Sequence, residues 1–180
     1  MRVLAIDPGS ASPSAAVYQA LSTGGGNIIH ATALTMRGEK GTRHRGPDPL
    51  ALVGLVQDWG VTHVAIEDVW AMPSIEDKNT GQRRGMGAQS SWNFGASCGD
   101  IRSTIRCCGI EPIWVLPTAW KKMFNLRGAR KEDSRQMALD LFPNAAHFLT
   151  LKKHEGIAES MLIARFAAKR LMADSDEIEP

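Results

Sequence analysis

At 180 residues, 43% hydrophobic and 22% charged, the chain is long enough to bury a core as one domain without a disulfide or metal staple. No run of about 18 apolar residues could span a bilayer, and the chain starts directly into an apolar strand instead of a basic region with a long apolar core, which reads as cytoplasmic. The formal charge of +2 is segregated: Lys121, Lys122, Arg127, Arg130, Lys131 and Arg135 stand against only Glu132 and Asp133, whereas the last nine residues hold four acids and no base. Such a basic block is either a solvated face or a track for a phosphate backbone.

The opening Leu4-Ala5-Ile6-Asp7-Pro8-Gly9-Ser10 is an apolar run that ends in a carboxylate and breaks into a turn. Lacking polar alternation, Val3–Ile6 reads as a strand buried on both faces. Asp7 is then the anomaly, because a charge at the mouth of a core strand must be hydrogen-bonded, paired or metal-bound; the alternative is a turn Asp before Pro-Gly. Ser14–Ala20 and Asn27–Leu34 follow as strands joined by a glycine-rich loop, giving an antiparallel meander. Met36–Asp48, with Arg37, Lys40, Arg43, His44 and Arg45, reads as a loop too polar for core, and as a candidate phosphate-contacting arm.

Asp48 and Pro49 are start signals for a helix to Trp59, with Leu50, Val53, Leu55 and Val56 on its apolar side and Gly60 ending it. Val61–Glu67 then repeats the opening pattern, a short apolar run closed by Glu67. Residues 71–87, with Lys78, Arg83 and Arg84, form a long polar connection of the functional or mobile kind. A helix follows over about 88–108, where Gly95 and Gly99 are four apart on one face and would let a neighbour or a symmetry mate come close, simple tight packing being the commoner case. A fifth strand at Glu111–Leu116 is stopped by Pro117, short helices cover Thr118–Phe124 and Lys131–Phe142, and a last helix runs from near His154 to about Met172. Residues 1–173 read as one domain and 174–180 as an acidic, frayed tail.

Glu155 and Glu159 are four apart on that last helix, so they share a face, and that face continues through Leu162 and Phe166. A solvated acidic face would lie opposite the apolar residues; this one does not. Four carboxylates, Asp7, Glu67, Glu155 and Glu159, therefore turn inward and need a counter-charge. Cys98, Cys107 and Cys108 lack zinc spacings, and the five histidines form no HxxxH pair, so oxygen ligands for Mg²⁺ or Mn²⁺ are the expected metal set. Two such ions can activate water and stabilise a leaving oxygen during attack on a phosphodiester. With basic blocks nearby, the expected substrate is nucleic acid.

The motifs LAIDPGS, AIEDVW and HEGIAESMLIA, in this order of elements, resemble the RuvC-type Holliday junction resolvases of the ribonuclease H-like superfamily, especially the compact phage and prophage forms. The resemblance implies an α/β, ribonuclease H-like fold with a five-stranded mixed sheet, its first three strands antiparallel, flanked by helices. It implies a homodimer that resolves four-way DNA junctions by paired symmetric nicks in a bacterial cell, with Mg²⁺ as cofactor and Mn²⁺ able to substitute. On it, Asp7, Glu67 and Glu159 are catalytic metal ligands, and Glu155 stands one residue from the place of the other helical acid. Lys131 is catalytic, Lys121 or Lys122 contacts the scissile region, and Trp70, three residues after Glu67, stacks at the junction centre. A core position is the alternative for Trp70. Arg43, Arg45, Arg83 and Arg84 complete the expected DNA-binding set.

Sugar kinases, actin and Hsp70 proteins also place an Asp-x-Gly turn after a first strand, there to bind ATP phosphates. They need two such domains, and this chain holds one copy and no GxxxxGK[ST] loop. A ribonuclease H-like nuclease for other branched DNA or hybrids, and a non-catalytic junction-binding module, are the remaining alternatives.

Overall fold

Alternation along the strands decides which residue meets which layer. The computed structural model describes residues 1–9, 12–39, 45–70, 75–76, 83–84 and 87–176, with the backbone alone at 75–76, 83–84, 131 and 176. Strands β1 (Arg2–Asp7), β2 (Ser14–Ala20) and β3 (Gly26–Ala33) form an antiparallel meander. Strands β4 (Met36–Arg37) and β5 (Gly46–Pro47) pair with each other, and helix α1 (Pro49–Asp58) follows. Strand β6 (His63–Glu67) joins β1 in parallel. A second small pair, β7 (Ile75–Glu76) and β8 (Arg83–Arg84), leads to helix α2 (Ala88–Cys107). Strand β9 (Ile113–Val115) adds in parallel to β6, completing the order β3-β2-β1-β6-β9. Helices α3 (Pro117–Met123), α4 (Lys131–Leu141) and α5 (Glu155–Asp176) close the chain, with 3-10 turns at Pro143–Phe148 and Lys152–His154.

The sheet separates two cores. Leu4, Ile6, Val64 and Ile66 face α1 and α2 with Leu52, Val56, Ile101 and Ile105, whereas Val3, Ala5, Ala16 and Ala65 face Ala158, Met161, Leu162 and the helices beside them. Alanines on that second face let α5 lie close against the sheet, since no long side chain holds it away. The same alternation continues to the strand ends. Asp7 follows Val3 and Ala5, and Glu67 follows Ala65, so both acids turn toward the α5 layer. Because Ile6 is level with Ile66 across the parallel pair, Asp7 and Glu67 end adjacent strands side by side, at a spacing of about 4.8 Å between chains.

Several sequence expectations are corrected. Part of Met36–Asp48 is β-structure and not loop: Gly46 and Pro47 are buried against α2, where Gly46 comes close because a Cβ there would stand 3.0 Å from Asp100 Oδ2. Asp48 does cap α1, its Oδ1 accepting from the Leu50 amide at 3.0 Å. Leu50 itself is 81% exposed. Apolar residues surround most of α1, so the sequence admits more than one stripe, and Leu52, Leu55, Val56 and Trp59 are the set that packs. Gly95 and Gly99 face open space, while α2 packs through Phe94, Ile101 and Ile105. Helix α5 runs on through Asp174–Asp176, the first residues of the stretch read as tail. All three cysteines are free thiols, and no helix among the described residues is long and apolar enough to cross a membrane.

Candidate active site

Asp7 and Glu67 are each 7% exposed, a costly position for carboxylates without partners. Each is tied by one oxygen. The Gly9 amide donates to Asp7 Oδ1 at 3.0 Å, an arrangement the Pro8-Gly9 turn creates by folding the backbone over the carboxylate. The Trp120 indole, from α3, donates Nε1–H to Glu67 Oε1 at 2.7 Å. Glu159, one turn into α5, is held the same way: Ser134 of α4 donates its hydroxyl to Glu159 Oε1 at 3.2 Å. Asp7 Oδ2, Glu67 Oε2 and Glu159 Oε2 make no hydrogen bond or ion pair to the described residues. Since no described side-chain oxygen is both fully buried and unpartnered, these second oxygens are open to solvent.

Helix α5 reaches Asp7 because residue 156 is glycine. A Cβ there would stand 3.0 Å from Ser14 Oγ and 3.2 Å from Asp7 Oδ2, so any side chain would press on the carboxylate. Ser14 is also fixed to the helix through Ser160, at 3.0 Å between hydroxyls. One cleft is lined by Asp7, Ser12, Ser14, His154, Glu155 and Glu159. Glu155 thus shares the cleft, on its wall, while Gly156 occupies the place one turn before Glu159.

Burial first, then the charges of Glu67 and Glu159, push the Asp7 carboxyl from 3.8 up to about 7, against the Gly9 amide and Lys121. Burial likewise raises Glu67; the Trp120 bond and Lys121 oppose it, and Glu159 adds to it. The cluster is therefore short of positive charge. Among the described residues, Lys121 is the cation acting on both acids, and its ammonium lies 5.1 Å from the centre of the Trp120 ring. Lys122, the other residue of that choice, is exposed and does not act on either acid.

The donor set suits a hard divalent cation: carboxylate oxygens, one of each pair immobilised and the other free, with no lysine or arginine paired to them among the described residues. Asp7, Glu67 and Glu159, with Glu155 on the cleft wall, are the residues that could hold it. Among the described residues, no three Asp, Glu, His or Cys side chains already form a ready-made ligand group. The three acids lie within electrostatic range of one another.

Of the other sequence candidates, Trp70 is 67% exposed, which excludes the core position. Arg45 lines a different groove with Arg37, Trp92 and Asp100, where Arg37 pairs with Asp100 at 2.9 Å. Arg43 and the side chains of Arg83, Arg84 and Lys131 lie outside the described residues. The basic block is partly structural: Arg135 donates to the Leu149 carbonyl, Arg127 reaches the Thr118 carbonyl at 3.4 Å, and Arg130 stands 3.7 Å from Asp133. Sequence reasoning missed Trp120, Ser134 and Gly156. A tryptophan beside two lysines after a core strand signals a buried N–H in need of an acceptor; Ser134 and Gly156 carry no comparable signal.

No protein-family model matches the sequence, and no curated protein matches it. Solved structures do. Thermus thermophilus RuvC in complex with a Holliday junction substrate is 15% identical, with a TM-score of 0.66 over 96% of each chain. Fowlpox virus Holliday junction resolvase is 12% identical, with a TM-score of 0.55 over 95% of this chain and 99% of its own. The yeast mitochondrial Holliday junction resolvase is 13% identical, with a TM-score of 0.53 over 97% and 82%. The fold of this chain is the one these Holliday junction resolvases share.

Proposed function

We propose that this chain, which shares its fold with the RuvC-type resolvases, is a metal-dependent endodeoxyribonuclease that resolves four-way DNA junctions. The observation that carries the proposal is the meeting of Asp7, Glu67 and Glu159 from three separate elements, each with one oxygen fixed and one free, opposite Lys121. When bound, Mg²⁺ or Mn²⁺ supplies a water nucleophile and charge for the leaving oxygen. The protein's part is to hold the three carboxylates in place, with Glu155 on the cleft wall, and to bring Lys121 to the phosphate that approaches them. Trp70, exposed and three residues after Glu67, would offer a face for an unpaired base, a contact worth about 1–3 kcal/mol. Lys131 would join the catalytic set, and Lys122, Arg43, Arg45, Arg83 and Arg84 would meet backbone phosphates. Two symmetric nicks require two such sites, so the active species would be a homodimer.

The test is to incubate the purified chain and Mg²⁺ with labelled four-way junction, flap, duplex and RNA–DNA hybrid. Selective paired cutting of the junction, abolished by EDTA and by Asp7→Asn or Glu67→Gln while binding persists, is the expected result. Cutting of the hybrid or flap in preference would assign a sibling nuclease activity instead, and junction binding without any cleavage would make the chain a binding module.

A further inference from the structure

A buried indole ordinarily gives its N–H to whatever acceptor its packing offers, most often a carbonyl. Trp120 is completely buried, yet its N–H goes to a carboxylate that ends a strand 53 residues earlier, at 2.7 Å. A bond to a charged acceptor at that length is among the stronger hydrogen bonds a protein makes. The indole is wedged between the sheet and α5 by the same core that holds Ala65, Ala158 and Leu162. It cannot follow the carboxylate if the carboxylate turns. Glu67 is consequently held by a rigid body, with Oε1 engaged and Oε2 without a partner among the described residues.

The same ring also carries Lys121. Successive helical residues point about 100° apart, and Lys121 nevertheless brings its ammonium back to 5.1 Å from the ring centre, a cation–π arrangement. One side chain thus sets the acid through its edge and the lysine through its face. Ser134 does the first of these for Glu159, and the Gly9 amide does it for Asp7, but neither touches the lysine.

The geometry points to Trp120 as a positioning residue of this site, one that fixes which Glu67 oxygen is offered to a divalent cation and where Lys121 stands beside it. The inference rests on the metal-dependent reading of the acid cluster and adds a residue that reading does not need. Trp120 touches no reacting atom; it acts through Glu67 and Lys121.

The decisive substitution removes the N–H and nothing else. Benzothienylalanine at position 120 keeps the size and the two fused rings, with sulfur where the N–H was; Trp120→Phe is the simpler companion, keeping a ring under Lys121. Each full-length protein is titrated with Mn²⁺, free ion being read by paramagnetic resonance with and without four-way junction, and its melting temperature, junction affinity and single-turnover cleavage rate are measured. Loss of an outer partner of a metal ligand typically costs about 10–100-fold in metal affinity or activity. That loss is expected in Mn²⁺ affinity and cleavage rate, with junction affinity unchanged and the isostere still folded at the assay temperature, although the missing hydrogen bond lowers its melting temperature. An isostere that binds Mn²⁺ as tightly as wild type, or more tightly because Oε1 has been freed, overturns the assignment, whether or not Trp120→Phe folds. A wild-type chain that takes up no Mn²⁺, alone or with junction, overturns the metal reading itself, and this inference with it.

Discussion

Replacing Asp7 with Asn should make the metal-free protein more stable near neutral pH, although it removes a residue at the centre of the site. Burial and the neighbouring charges of Glu67 and Glu159 move the Asp7 carboxyl from 3.8 to about 7. At about 1.36 kcal/mol per pH unit, ionising it in the folded chain costs about 4 kcal/mol more than in the unfolded chain. The sign follows from proton binding. Between these two values the folded state holds the proton that the unfolded state has lost, so stability is full below pH 3.8 and falls as pH rises to about 7. An amide in the same place stays neutral, and its oxygen still accepts from the Gly9 amide. Urea unfolding in EDTA should therefore show Asp7→Asn ahead of wild type by about 2–4 kcal/mol at about pH 8, with the advantage gone at about pH 3. Mg²⁺ should narrow the gap by stabilising wild type alone, by about 2.7 kcal/mol at a hundredfold excess over its dissociation constant and about 4.1 kcal/mol at a thousandfold, enough to close it. If Asp7→Asn is no more stable than wild type at any pH, Asp7 is not a poorly solvated acid among like charges, and the reasoning that leads from its burial to a bound cation fails.

Lys121→Ala should lower the cleavage rate with little change in junction affinity, while Lys122→Ala should weaken binding and flatten its salt dependence, by about one released ion for each phosphate that is no longer neutralised; equal effects in both assays would remove the distinction between them. Trp70→Ala should leave the melting temperature within a few degrees, since an exposed ring has no cavity to open, whereas a buried one would cost about 3–5 kcal/mol; junction cleavage should fall sharply, and unchanged cleavage would take Trp70 out of the site. Gly156→Ala should stay within about 1 kcal/mol of wild type, because the gain in helix propensity is offset by crowding at Ser14. Its new methyl would shield Asp7 Oδ2, so Mg²⁺-dependent cleavage should drop, and a fully active variant would show that this oxygen is not used.

The sequence by itself determined what local signals can carry. Apolar runs closed by Asp7 and Glu67 mark two core strands with acids at their ends, and the spacing from Glu159 to Leu162 and Phe166 puts an acid on a buried stripe. Asp48 before Pro49 marks a helix start, and all of these stand in the structure because period, terminators and caps act within a few residues. Even the convergence of the strand acids is implicit in parity, since Asp7 follows Val3 and Ala5 as Glu67 follows Ala65. The tertiary structure alone decided the rest. Leu52 and not Leu50 packs under α1, because the choice of stripe depends on the sheet beneath it. Lys121 and not Lys122 faces the acids, because adjacent helical residues differ only in direction. Trp120 holds Glu67 from 53 residues away and Ser134 holds Glu159 from 25. Those partners are set by how α3, α4 and α5 stack on one face of the sheet, and such contacts leave no periodic trace in the chain that makes them.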